Sequence, residues 1–144
     1  MIVRRAIPDD AKAIYDIGIN SQAFRVSDEV PFYEFDEIVA WLHSPMDNLF
    51  IVAEQGESLT GFLFCKVMSI HWALLDNFFV VPSARGMGTG TALLGSLKQI
   101  LMEREIKYLS ALFREQDGDT LSFFQQSGFR RQQKYSWMDV FLET

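Results

Sequence analysis

Apolar and polar positions along this chain alternate with two different periods, and the changes of period mark its elements. Ile2-Val3-Arg4-Arg5 reads as a short strand closed by Pro8. Ala13, Ile14 and Ile17 then recur at helical spacing, so Asp9 or Asp10 can cap a first helix reaching about Asn20. Residues 21–31 hold Ser27, Asp28 and Pro31 and predict a mobile, turn-like connection. Phe35, Ile38, Val39 and Leu42 return to helical spacing, with Asp36 and Glu37 in the favoured first turn and Ser44-Pro45 at the end. Three apolar strand-like runs follow: Leu49 to Glu54, Thr60 to Met68, and Ala73 to Val81. Gln55-Gly56-Glu57-Ser58 makes the first hairpin turn, and Ser69-Ile70-His71 lies at the second.

After a glycine-rich stretch, Leu93, Leu94, Leu97, Ile100 and Leu101 form the apolar stripe of a helix ending near Arg104. Tyr108 to Phe113 predicts a strand, and about Asp119 to Gln126 a short helix, with Gly128 suited to the left-handed position behind it. Two closing strands are expected near 129–134 and 135–142. The order β-α-α-β-β-β-α-β-α-β-β predicts an α+β fold, with a mainly antiparallel, mixed sheet and one crossover. At 144 residues a single domain over 1–144 is expected.

Residues 78–91 carry the most specific chemistry. The apolar run stops at Pro82, Arg85 follows, and Gly86, Gly88 and Gly90 alternate before Thr91 opens the helical pattern. A strand feeding a helix N-terminus through glycines exposes unpaired N–H groups under positive dipole potential, a natural seat for a pyrophosphate. A Rossmann turn fails on spacing, because G-x-G-x-x-G is absent, and no P-loop pattern exists.

Composition narrows the partners. Apolar residues make up 49% of the chain, so it is globular. A net charge of −6 argues against a nucleic-acid surface and favours a cationic partner such as an amine. Cys65 is the only cysteine, so neither an internal disulfide nor a cysteine-based metal cluster can form; with His43 and His71 alone, no metal site is expected. The first residues lack a signal-peptide core and no apolar run is membrane-length, so a cytoplasmic location without membrane contact is expected. The tryptophans Trp41, Trp72 and Trp137 and the many phenylalanines permit a homodimer.

The run Val80-Val81-Pro82-Ser83-Ala84-Arg85-Gly86-Met87-Gly88-Thr89-Gly90 resembles the V-x-P and [QR]-x-x-G-x-[GA] signature of the GNAT-type N-acetyltransferases. Phe123-Phe124-Gln125-Gln126-Ser127-Gly128-Phe129 resembles the second family block, and the opening Ile2 to Asp10 resembles the family's start. The resemblance implies a GNAT-like sheet with helices on both faces, acetyl-CoA as cofactor and CoA as product. It places the backbone of Phe78, Phe79 and Val80 beside the pantetheine arm, and the N–H groups from Arg85 through Gly86, Met87, Gly88, Thr89, Gly90 and Thr91 around the pyrophosphate. Asp117 stands where many members carry a cofactor-touching Asn. It brings negative charge there unless it turns away or caps the helix.

Direct acetyl transfer to an amine needs a base, and an acid for the departing thiolate is optional. Asp76, inside an apolar strand beside Asn77, is the candidate base; a solvated or bulge position is the plainer reading. Phe124 stands where many members carry an acidic Tyr, and Leu112 where ribosomal-protein acetyltransferases carry a Glu. Tyr33 and Tyr135 can offer a phenol near the acceptor, or simply pack. Phe24 and Arg25, with Asp28, Glu29 and Glu34, are expected to line the acceptor side. Cys65 reads as a buried apolar residue and His71 as surface. Two readings stay open: an N-acetyltransferase acting on a small-molecule or peptide primary amine, or a catalytically weak acetyl-CoA sensor.

Overall fold

A computed structural model describes residues 1–143. Five strands form one sheet in chain order: β1 (Ile2–Arg5), β2 (Asn48–Gln55), β3 (Ser58–Val67), β4 (Trp72–Val80) and β5 (Tyr108–Ala111). The first four pair antiparallel, and β4 pairs with β5 in parallel across the crossover. The helices are α1 (Ala11–Asn20), α2 (Phe35–His43), α3 (Thr89–Glu103) and α4 (Gly118–Gln126). No helix among the described residues is long and apolar enough to cross a membrane.

Strand alternation divides the interior into two cores. Phe50, Val52, Phe62 and Phe64 turn toward Ile14 of α1 and Ile38 and Leu42 of α2. Leu49, Ile51, Leu63 and Cys65 turn the other way, against Leu93, Leu97 and Leu101 of α3 and Phe124 of α4. Because helices cover both faces, β2 and β3 read as continuous apolar runs rather than alternating ones. The helices therefore lie on both faces of a mainly antiparallel sheet, as the sequence predicts.

Two expectations are corrected. Neither Asp9 nor Asp10 caps α1 through its side chain. A 3-10 turn (Pro8–Asp10) precedes the helix instead, and the Asp10 carboxylate accepts hydrogen bonds from Ile7 N at 2.8 Å and from Arg4 at 2.8 and 3.0 Å. The two closing strands near 129–134 and 135–142 do not form: residues 130–143 carry no regular structure. Arg131 and Lys134 pair with Glu115, and beyond them the segment leaves its apolar side chains exposed. A strand exists only against a partner, and among the described residues no strand pairs with it.

Candidate active site

β4 outruns β5, and the sheet splits where it does. The parallel ladder joins Trp72–Leu75 to Tyr108–Ala111, with a last contact from Leu112 N to Leu75 O at 3.4 Å. Beyond it, β4 continues from Asp76 to Val80 with no paired strand on that side among the described residues. At the same point the β3–β4 register shifts, since Phe64 pairs with Asn77 but Cys65 pairs with Leu75. Asp76 is the extra residue of a β-bulge, a device that re-aims side chains beside sites.

The bulge turns Asp76 toward the α1–α2 face, where Tyr33 meets it. Tyr33 arrives on the connection before α2, held edge-on to Trp41 at 5.2 Å and to Phe64 at 5.4 Å. Its hydroxyl donates to Asp76 Oδ2. Burial, then this hydrogen bond, then the charges of Asp76 and Glu37 keep the phenol protonated well above its usual 10. Tyr33 is thus a fixed donor, and Asp76 Oδ1 receives no protein hydrogen bond among the described residues.

Phe24 packs on Phe32, Phe62 and Phe79 at 5.5, 5.8 and 5.9 Å, which seats the α1–α2 connection over this face. Arg114, after β5, anchors that connection by donating to Gln22 O at 2.8 Å. Arg25 follows Phe24, and its Nε is buried without a partner. Tyr135, expected beside the acceptor, is 84% exposed in the C-terminal segment and takes no part in this cluster.

Three neighbours escaped sequence reasoning. Lys66 Nζ lies 5.0 Å from the Tyr33 ring centroid, 5.4 Å from that of Phe64 and 5.8 Å from that of Trp41. Its signal was a charge at the next same-face position after Phe62 and Phe64 on β3. Trp41 read only as part of an aromatic surplus. Asn77 is 7% exposed with Oδ1 unpartnered, an orphan acceptor beside the bulge.

At the far end of the split, backbone geometry sets the donors. Val81 N bonds Thr60 O at 2.9 Å toward β3. Alternation turns the backbone groups of Phe79 the same way, and those of Phe78 and Val80 into the gap. Arg85 Nε takes the Val80 carbonyl at 2.9 Å, while its guanidinium sits 5.6 Å from the Phe79 ring centroid. The Arg85 N–H bonds Pro82 O at 3.3 Å and is closed within the turn. Met87 is exposed, and Gly88, at φ +83°, stands at the N-cap of α3. The first intrahelical bond runs from Ala92 N to Gly88 O, so the N–H groups of Thr89, Gly90 and Thr91 have no intrahelical acceptor. A Cβ on Gly86 or Gly88 would meet nothing within 4 Å, so the space before these donors is open.

Asp117 caps α4, accepting from Thr120 N at 3.3 Å, so its carboxylate serves the helix. Phe124 is 2% exposed among Phe78, Phe113, Phe123 and Phe129. Cys65 is buried, and desolvation pushes its thiol up to about 12, outweighing the opposing charge of Arg104, with the charge of Asp76 adding to the rise, so it is no nucleophile near neutrality.

This arrangement defines a class: an α+β protein whose sheet splits between a bulged carboxylate and a glycine turn that opens α3. The family model described as Acetyltransferase (GNAT) family matches residues 13–129, and the chain belongs to that family. No curated protein matches it by sequence. Among solved structures it resembles a transcriptional regulator from Bacillus halodurans C-125 at 20% identity and TM-score 0.80, over 96% of this chain and 99% of that one. It also resembles an aminoglycoside acetyltransferase from an uncultured soil metagenomic sample in complex with sisomicin, at 15% identity and TM-score 0.78, over 99% and 96%. A ribosomal-protein-alanine N-acetyltransferase from Brucella melitensis follows at 23% identity and TM-score 0.74, over 90% and 85%. At such identities these likenesses speak for the fold.

Proposed function

We propose that this protein is an N-acetyltransferase, one domain over 1–144, moving an acetyl group from acetyl-CoA to a primary amine by direct transfer. The observation that carries this reading is the Tyr33–Asp76 pair at the point where β4 parts from β5, on a strand that leads through the glycine turn to the N–H groups of α3. The residues suit the cofactor: Thr89, Gly90 and Thr91 offer donors to a pyrophosphate, and clear space lies before Gly86 and Gly88. Phe78 and Val80 offer N–H groups to amides of a pantetheine arm laid along β4 like an added strand.

Acetyl-CoA supplies an activated thioester carbonyl and a thiolate able to leave. Asp76 Oδ1 takes the proton of the attacking amine, directly or through a water, while Tyr33 holds Oδ2 in place. The new C–N bond replaces the C–S bond. No side chain is assigned to protonate the thiolate, consistent with the buried ring of Phe124 and the apolar Leu112. The thiol state of Cys65 supports transfer without an acetyl-cysteine stage. An acidic net charge and the lone carboxylate of Asp76 suit a cationic small-molecule or peptide amine, with Phe24 and Arg25 on its approach.

A thermal melt with acetyl-CoA, CoA and NADH tests the cofactor. At 100 times its dissociation constant a ligand stabilises by about 2.7 kcal/mol, a shift of roughly 5–12 °C at this size. Both CoA species should shift the midpoint and NADH should not; no shift with either CoA species removes the proposal. An amine panel including aminoglycosides, read by thiol release, then tests transfer. Binding without amine-dependent release from any acceptor would favour the sensor.

A further inference from the structure

We infer, resting on the acetyltransferase reading above, that Asn77 orients the acceptor. Its side-chain oxygen accepts a hydrogen bond from one N–H of the incoming nitrogen while Asp76 takes the proton of the other, which makes the site selective for primary amines.

Asn77 stands where a polar side chain is costly to keep. It is 7% exposed, and its Oδ1 has no hydrogen-bond partner among the described residues. Its register partner on β3 is Phe64, and Phe79 follows two positions along on the same side of β4. Neither ring offers an N–H or O–H. A buried acceptor without a donor destabilises a fold, and the great majority of such groups in proteins are satisfied. An asparagine kept to shape a turn or a bulge bonds nearby backbone groups, but this oxygen bonds none. A leucine of similar size would fill the position without that cost, so the amide serves a group outside the chain.

The strand register puts Asn77 on the acceptor side. Phe64 belongs to the core under α1 and α2, and directly opposite residues of an antiparallel pair share a face. Asn77 therefore points to the face on which Tyr33 meets Asp76. The bulge sets two successive residues against one on β3, which brings Asp76 and Asn77 to the same face rather than to opposite ones. Asp76 is half-buried, so the bulge is open to solvent on its side. The other buried side-chain atoms without partners among the described residues are Arg25 Nε and Ser27 Oγ. Both lie on the connection that Phe24 seats over this face, so the unmet polar groups gather around the acceptor's approach.

The two oxygens divide the chemistry. A primary amine with its lone pair free to attack carries two N–H groups. Asp76 Oδ1 takes the proton of one, and Asn77 Oδ1 accepts from the other and holds the nitrogen still. The C–N bond forms as the C–S bond breaks, and the electron pair leaves with the CoA sulfur. A neutral secondary amine or a hydroxyl brings a single hydrogen and leaves one oxygen bare, and a site built around two acceptors discriminates against such a partner.

Steady-state kinetics of full-length Asn77→Leu and Asn77→Asp test this, with an amine that the parent acetylates and its N-methyl counterpart. The parent should favour the primary amine. In Asn77→Leu, kcat/KM for the primary amine should fall roughly ten- to a hundredfold, and the gap between the two amines should narrow by about that factor. The same variant should melt about 2–6 °C above the parent and keep its midpoint shift with acetyl-CoA, because only an orphan acceptor has been removed. Asn77→Asp keeps an acceptor and should keep the preference. An unchanged gap in Asn77→Leu overturns the inference and leaves acetyl transfer standing. A leucine variant that melts below the parent and loses acetyl-CoA binding also overturns it, by assigning Asn77 to the fold. A parent that binds acetyl-CoA but releases thiol with no amine removes the acetyltransferase reading itself, and this inference with it.

Discussion

At Asp76 a carboxylate enters a strand otherwise filled with apolar side chains, and the strand makes room by adding a residue. A plain charge intrusion would be solvated and indifferent to its neighbours. Here the Tyr33 hydroxyl fixes one oxygen and leaves the other open. The two roles separate by substitution. Asp76→Asn keeps size and removes the proposed base, so kcat for an amine found by thiol release should fall by about 10²–10⁴, with acetyl-CoA affinity unchanged. Tyr33→Phe removes one hydrogen bond to a charged group, about 1.5–3 kcal/mol, and should cost kcat roughly tenfold or more while Asp76 still acts. An Asp76→Asn protein with full turnover would leave the carboxylate a mere feature of the bulge. This pairing was not legible in the sequence. Each residue stood out alone, but they lie 43 positions apart and meet only because Phe24 and Phe32 pack the α1–α2 connection onto the sheet.

Elements are held in register by a few charged contacts as well as by the cores. Arg4 on β1 joins Asp10, at the start of α1, to Glu54 on β2. Burial pushes the Asp10 carboxyl up, but the bonds from Arg4, the Ile7 N–H and the Arg4 charge together outweigh it and hold it below 3.8. A depressed folded value means stabilisation that is complete above the ordinary carboxylate range and fades as pH falls through 3.8 toward the lower folded value. Asp10→Asn should therefore cost about 1–3 kcal/mol at pH ~7, a drop of roughly 3–10 °C in Tm. Melts repeated at pH ~3 should show the gap narrowing; a gap constant with pH would assign the loss to packing. Most elements were legible because their period is a local property: the Leu93–Leu101 stripe gave α3, and the unbroken runs of β2 and β3 gave buried strands. Residues 129–142 carried an equally good strand pattern and formed none, because pairing depends on what lies alongside, which local patterning does not encode. The capping carboxylates show the same limit, since Asp117 caps α4 whereas Asp10 turns to Arg4 and Ile7.

The whole molecule is two apolar cores back to back across one sheet, which opens where β4 and β5 part. β5 is short, and the gap beside Phe78 and Val80 is bounded below by the rings of Phe78, Phe113, Phe123 and Phe124 rather than by a strand. A ligand lying in that gap completes the backbone pairing of β4 and touches the glycine turn at once, so the two contacts should rise and fall together. Hydrogen exchange reads this directly. Without ligand, the Phe79 amide should be protected by β3 while those of Phe78 and Val80 exchange readily; acetyl-CoA should slow both of the latter. Gly88→Val tests the coupling from the other end. Its φ of +83° disfavours a branched side chain, and a Cβ there points into open space, so it would obstruct a phosphate seated at the turn without displacing protein atoms. In that variant acetyl-CoA should no longer protect Phe78 and Val80, while protection of the β2 and β3 amides persists. If protection at Phe78 and Val80 survives in the variant, the pantetheine-like contact along β4 stands without the glycine turn, and the phosphate seat must be sought elsewhere on the molecule.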